Sequence, residues 1–137
     1  MERVAVPFSL ERWALDLKVA VTVRGVVRAE PDALVIEFRE TTMDMGSLAE
    51  TDGEVHEIRI PVDDLESVEA TRRWPGRTKL RIRTRRMSAL AGVPATAGNE
   101  CVLPVRRRDR LRARELAVSL SLHLSGRELK RIEEGGE

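Results

Sequence analysis

Apolar and polar residues alternate strictly along LDLKVAVTV (15–23), with Leu15, Leu17, Val19, Val21 and Val23 on one side and Asp16, Lys18, Ala20 and Thr22 on the other. Side chains of an extended chain point alternately to opposite faces, so this period of two predicts a half-buried strand. Gly25 interrupts the pattern and is the expected place for a bulge or bend, after which the strand continues to about Arg28. Glu30-Pro31-Asp32-Ala33 supplies turn chemistry: Pro31 presets φ and the Asp32 carboxylate can accept hydrogen bonds from local backbone. LVIEFRE (34–40), with Leu34, Ile36 and Phe38 on one face, completes a hairpin.

TTMDMGSLAETDG (41–53) is polar and reads as a loop. EVHEIRIPV (54–62) reads as a third strand with Ile58 and Ile60 inward, ended by Pro61, which has no N–H for the ladder. A short bend leads into a fourth strand over about 66–74, with Val68, Ala70 and Trp74 on one face. Pro75-Gly76 is a turn signature. RTKLRIRTRR (77–86) is then a fifth strand, with Leu80 and Ile82 inward and Lys79, Arg81, Arg83 and Arg85 outward. Residues 87–99 are uncharged and weakly patterned, a long loop or a poor strand. ECVLPV (100–105) is a sixth strand with Cys101, Leu103 and Val105 inward.

The period then changes. Asp109 is placed to cap or charge the first turn of a helix, and Gly126 to terminate it after Leu124. At 100° per residue, Ala113, Leu116, Ala117, Leu120 and Leu124 fall on one stripe, the natural core face. Leu111, Val118 and Leu122 fall on nearly the opposite side, and a surface helix needs only one apolar stripe. Two explanations stand open: VAVPFSLERW (4–13) folds back over this second stripe, or the stripe is an interface. The expected organisation is an N-terminal segment 1–14 packing on the helix, one domain over 15–126, and a charged, frayed tail over 127–137. The expected fold class is mainly β with one C-terminal α-helix, antiparallel strands curling into a barrel or sandwich that the helix plugs.

IRIPVDDLESVEA (58–70) resembles the strand–proline–bend–strand signature of bacterial pleckstrin-homology-like and GRAM-like domains, with Leu65 as the buried aliphatic of the bend and Ser67 and Val68 opening the next strand. VLPVRRRDRLRARELAVSL (102–120) is similar to their last strand and helix. The resemblance covers roughly residues 15–124 and implies a pleckstrin-homology-like split barrel capped by a helix. It implies no single function, since that fold hosts lipid, peptide and protein binding alike. Phosphoinositide-binding members carry a basic pattern around the first hairpin. Lys18, Arg24 and Arg28 stand there in this chain, but the turn is Glu30-Pro31-Asp32, the wrong charge for a phosphate.

Composition refines the picture at three points. With two Trp, two Phe and no Tyr, the core of this 137-residue chain must be built from Val, Leu, Ile and Ala. The lone Cys101 forms no internal disulfide, and neither an apolar leader nor a span of about 20 apolar residues is present, so a cytoplasmic domain is expected, with peripheral membrane attachment as the alternative. The net charge of +1 conceals an asymmetry: residues 1–71 hold 7 basic and 16 acidic residues, residues 72–114 hold 14 and 2, and residues 115–137 hold 3 and 5. Such a split marks an anionic partner or an acidic half that folds against a basic one.

Candidate chemistry is sparse. His56 and His123 have no partners at metal-ligand spacing, so no metal site is expected. Cys101 sits among inward residues, where a thiol is inert. Asp63, Asp64 and Glu66 fit a bend whose carboxylates bond local backbone better than an acid–base pair. No phosphate-binding, dinucleotide-binding or nucleophile-elbow motif occurs, so neither an enzyme nor a cofactor is expected. Nucleic-acid binding ranks last, because Trp74 is the one aromatic between Arg72 and Arg114 and single-strand readers stack bases on aromatics. Cross-strand pairing lays Glu69 near Arg81 or Arg83 as a partial neutraliser. The reading that results is a non-enzymatic interaction module that binds protein or itself, with Leu111, Val118 and Leu122 as interface and the 87–99 loop as a second contact region. Anionic lipid on Lys79, Arg81, Arg83 and Arg85 is the alternative.

Overall fold

In the computed structural model, which describes residues 4–14, 18–72 and 78–135, the alternating segments become strands β1 (Ala5–Ala14), β2 (Val19–Ala29), β3 (Ala33–Asp44) and β4 (Glu50–Pro61). They form one antiparallel sheet in the order β1-β2-β3-β4. A second sheet, ordered β5-β6-β8-β7, comprises β5 (Leu65–Arg72), β6 (Thr78–Thr84), β7 (Thr96–Ala97) and β8 (Glu100–Pro104). The helix α1 (Arg110–Gly135) follows. The protein is mainly β with one C-terminal helix, its strands divided between two four-stranded antiparallel sheets.

The core lies between the inner faces. Val21, Val23, Val27, Leu34, Ile36, Phe38 and Ile60 come from the first sheet, Val68, Leu80, Ile82, Cys101 and Leu103 from the second, and Ala113, Leu116, Ala117 and Leu120 from α1. The inward residues of β2, β3, β6 and β8 are those the alternation selects. The helix stripe is also as expected, with Leu124 half-buried at its end.

Several expectations are corrected. Residues 5–14 form β1, an edge strand paired with β2 from Ala5–Arg28 to Ala14–Val19, which touches the helix without covering its outer stripe. Its Val6 and Phe8 enter the core. Gly25 is neither bulge nor bend, since the register through it is continuous on both sides. A Cβ there would strike the Glu37 carbonyl and come within 2.6 Å of the Phe8 ring and 2.8 Å of the Phe38 Cβ, so glycine serves close approach of the Phe8 ring and of β3. The loop expected over 41–53 is largely a hairpin: β3 and β4 run on past a register shift between Arg39 and Thr41, with only 45–49 between them. Residues 50–57 are exposed and Thr41 Oγ1 donates to Asp52 Oδ1 at 2.9 Å, so this extension is held by backbone and polar pairs instead of core burial. The helix does not stop at Gly126 but continues to Gly135, so the tail expected to fray is helical as far as it is described. Gly126 has no contact within 4 Å of a would-be Cβ, and a solvent-facing glycine costs a helix only about 1 kcal/mol. Leu15, Leu17, Trp74 and the Pro75-Gly76 turn lie outside the described residues.

Residues 87–99 resolve into a 3-10 turn (Met87–Leu90) and the two-residue strand β7. Leu90 and Val93, which belong to no periodic pattern, are buried and fill the core at this edge. The bend after β4 is a 3-10 turn, Val62–Asp64, with Val62 inward.

Candidate functional site

Lys79, Arg81 and Arg83 alternate with buried Leu80 and Ile82 on β6, as the pattern demands. They do not form an open row of cations. Arg81 Nε lies 2.5 Å from Glu100 Oε1 and Arg83 Nε lies 3.8 Å from the same oxygen, both reached across the β6–β8 ladder. Glu69 stands opposite Arg81 in the β5 register as expected, but the ion pair is with Glu100. Arg85 leaves the row altogether. Thr84 is buried and its Oγ1 donates to the Arg86 carbonyl at 2.7 Å, while its backbone N–H donates to the Asn99 carbonyl at 2.9 Å. The chain pinned there turns away, and Arg85 lines a small cleft of 30 Å³ with Asp63, Glu66 and Arg127. Of the four cations named from the sequence, Lys79, Arg81 and Arg83 share the outer face of β6, and Arg85 lies beyond its end.

The acidic half reaches the basic half only at the bend among the described ion pairs. Its carboxylates serve arginines of their own sheet: Arg12 with Glu40 at 3.1 Å, Arg28 with Glu37 at 2.9 Å, and Arg59 with Glu30 at 2.6 Å. The hydrogen bond from Arg59 holds the Glu30 carboxyl below its ordinary pKa. Arg28 and Arg59 flank Val35 across both neighbouring strands, and Val35 is fully buried although it lies on the outer side of the sheet. The aliphatic stems of the two arginines roof it while their heads pair. The bend carboxylates do cross over: Arg86 grips Asp64 through Nε at 3.0 Å and Nη2 at 2.5 Å, and Arg127 of the helix pairs with Asp63.

Cys101 is buried and burial pushes its thiol up to about 11, which fits a packing role. His56 is exposed, with its ring centroid 5.3 Å from that of Phe38, so it shields the end of the core.

The helix carries the feature that has no internal partner among the described residues. Ala113, Leu116, Ala117 and Leu120 pack inward, and Ser121 Oγ donates to the Val68 carbonyl of β5 at 3.4 Å. On the opposite face Leu111, Val118 and Leu122 are exposed, so β1 does not cover them. The longer helix adds Leu129 and Ile132, and the five residues are between 53 % and 70 % exposed. With Glu115 and Ser125 they recur at 111, 115, 118, 122, 125, 129 and 132, a four-three spacing that makes a slowly winding seam about 32 Å long. Leu129 and Ile132 were readable in the sequence from that spacing, but the expected stop at Gly126 hid them.

No family model, curated protein or solved structure matches this chain.

Proposed function

We propose that the chain is a non-enzymatic, pleckstrin-homology-like interaction module that associates with a second copy of itself through the outer seam of α1. One observation carries this reading: a helix that has already buried its core stripe exposes five more large apolar side chains at four-three spacing. Heptad spacing is the pattern by which two helices interdigitate, and scattered surface apolar residues do not produce it.

The seam also selects an occupant. In an antiparallel pair, Leu111 faces Leu129 of the second copy, Val118 faces its Leu122, and the polar Glu115 faces its Ser125. Apolar meets apolar in each of these layers and the polar positions meet each other, while Ile132 lies beyond the start of the second helix. A parallel pair would set Glu115 against Glu115 and the exposed Arg110, Arg112 and Arg114 against themselves. The antiparallel pair lays those arginines beside the C-terminal turns of the second helix, where the helix dipole favours cations. At their own N-terminal end they oppose it.

Light scattering after gel filtration over a range of concentrations tests the proposal. A concentration-dependent dimer is expected for the native chain and a monomer for Leu122→Glu, with the variant retaining the native thermal melt because Leu122 faces solvent in the single chain. A clean monomer for the native chain at the highest concentration overturns it.

A further inference from the structure

We propose that a cleft at the start of the helix, lined by Arg24, Arg106 and Arg108, is a binding site for one phosphate-class oxyanion. Strand β2 contributes Arg24, and the connection between β8 and α1 contributes Arg106 and Arg108, so the three meet from segments distant in sequence. Pro7, Phe8 and Gly25 complete the apolar part of the lining and Ser9 adds a hydroxyl donor, while no carboxylate lines the cleft. Its volume of 170 Å³ is below the range of pockets that enclose whole organic ligands, which suits a single tetrahedral anion or one phosphate group of a larger molecule.

The cleft arginines lack the close carboxylate partners that several other arginines hold. Arg28, Arg59, Arg81 and Arg86 each hold a carboxylate at 2.9 Å or closer. Among the described residues Arg24 and Arg106 pair with none, and the nearest carboxylate to Arg108 is Asp109, whose Oδ2 is 3.9 Å from Arg108 Nε. Arg24 also stands directly opposite Arg39 in the β2–β3 register. Like charges placed opposite one another across strands destabilise a sheet. A phosphate bound by guanidinium groups, which present paired donors matched to its oxygens, offsets that repulsion and gives the arrangement a purpose. The site is separate from the β2–β3 turn at Glu30–Asp32, whose acidic residues repel phosphate, and from the β6 cations that share Glu100.

The test is calorimetric titration of inorganic phosphate into the full chain at low salt, with Arg24→Gln and Arg106→Gln as variants and Lys79→Gln as control. One saturating site is expected, weakened about tenfold by each arginine substitution because each removes a charge-assisted contact, and unchanged by Lys79→Gln. Arg24→Gln is expected to keep or raise the melting temperature, since it relieves Arg39, so lost binding is separable from lost folding. Uptake that does not saturate, or that falls equally in Lys79→Gln, overturns the proposal. A second arm identifies the source of the phosphate, using phosphatidylcholine vesicles that contain phosphatidylinositol phosphate. Co-sedimentation that requires Arg24 assigns a lipid headgroup, and phosphate binding without co-sedimentation assigns a soluble phosphate. Co-sedimentation undiminished by Arg24→Gln overturns the site.

Discussion

Leu116 and Leu122 stand six positions apart on one helix, yet the first is fully buried and the second is 70 % exposed. The first belongs to the stripe that closes the core over β5, where Ser121 also reaches the Val68 carbonyl. The second belongs to a seam of the same residue types, turned away from both sheets. Identical side chains thus act at different levels. The inner stripe contributes to the stability of the single chain, and the outer one contributes only when something else covers it. The difference teaches that hydrophobic content alone does not locate the core of this helix, whereas the angle around its axis does.

The sharpest way to break this contrast is truncation. Leu116→Ala should destabilise the protein by about 2–5 kcal/mol, from lost burial plus the cavity left behind, as read by urea denaturation. Leu122→Ala, measured at concentrations where the chain is monomeric, should stay within about 0.5 kcal/mol of the native chain. Equal costs at the two positions would mean that the outer seam is covered within the single chain.

Cys101 extends the comparison to pH. Burial raises its thiol from 9.0 to about 11, so the native state keeps a proton that the unfolded chain loses. Its contribution is complete below pH 9 and is lost as pH rises through about 11, with the unfolded chain binding fewer protons throughout that window. Stability should decline there by about 2–3 kcal/mol, and Cys101→Ser should flatten the decline. Alkylation of Cys101 at pH 8 should be slow in the native chain and in Leu122→Ala, and faster in Leu116→Ala, where opening is easier. Rapid alkylation of the native chain would contradict a buried thiol.

The smallest expected effect lies on the outer side of the helix. Gly126→Ala should stabilise the chain by about 0.5–1 kcal/mol, because glycine loses more freedom on entering a helix and the new methyl meets open space. A loss of stability on thermal melting would show that the helix ends near Gly126 after all.

The parts of the fold legible in the sequence are those where burial imposes a period. Val21, Val23, Leu34, Ile36, Leu80, Ile82, Cys101 and Leu103 announce their strands because one face of each sheet is dry and the other is wet. The β3–β4 extension was illegible because neither face of residues 50–57 is buried, so no alternation is imprinted on them. Leu90 and Val93 reach the core from an irregular segment, and irregular backbone carries no period to read. At the candidate site, Leu111, Val118 and Leu122 followed directly from helical geometry. Leu129 and Ile132 were missed because a glycine signals a helix end locally, while the backbone here runs through it. Glu100 escaped notice as the partner of Arg81 and Arg83 because its place depends on β6–β8 pairing, which joins distant segments. The Arg24, Arg106 and Arg108 cleft is a meeting of distant segments as well, and nothing local to any of the three announces it.

Gly25 has a consequence for how the first sheet assembles. Phe8 on β1 and Phe38 on β3 are its direct neighbours across both ladders, and the Phe8 ring and the Phe38 Cβ occupy the space where a side chain would stand. A slip of either neighbouring strand by two residues would preserve the inward and outward faces, so alternation alone does not forbid it. Such a slip would bring the ring opposite Val23 or Val27, where a branched side chain already fills the gap. Gly25 is thus a keyway with two keys, and one residue without a side chain aligns three strands at once.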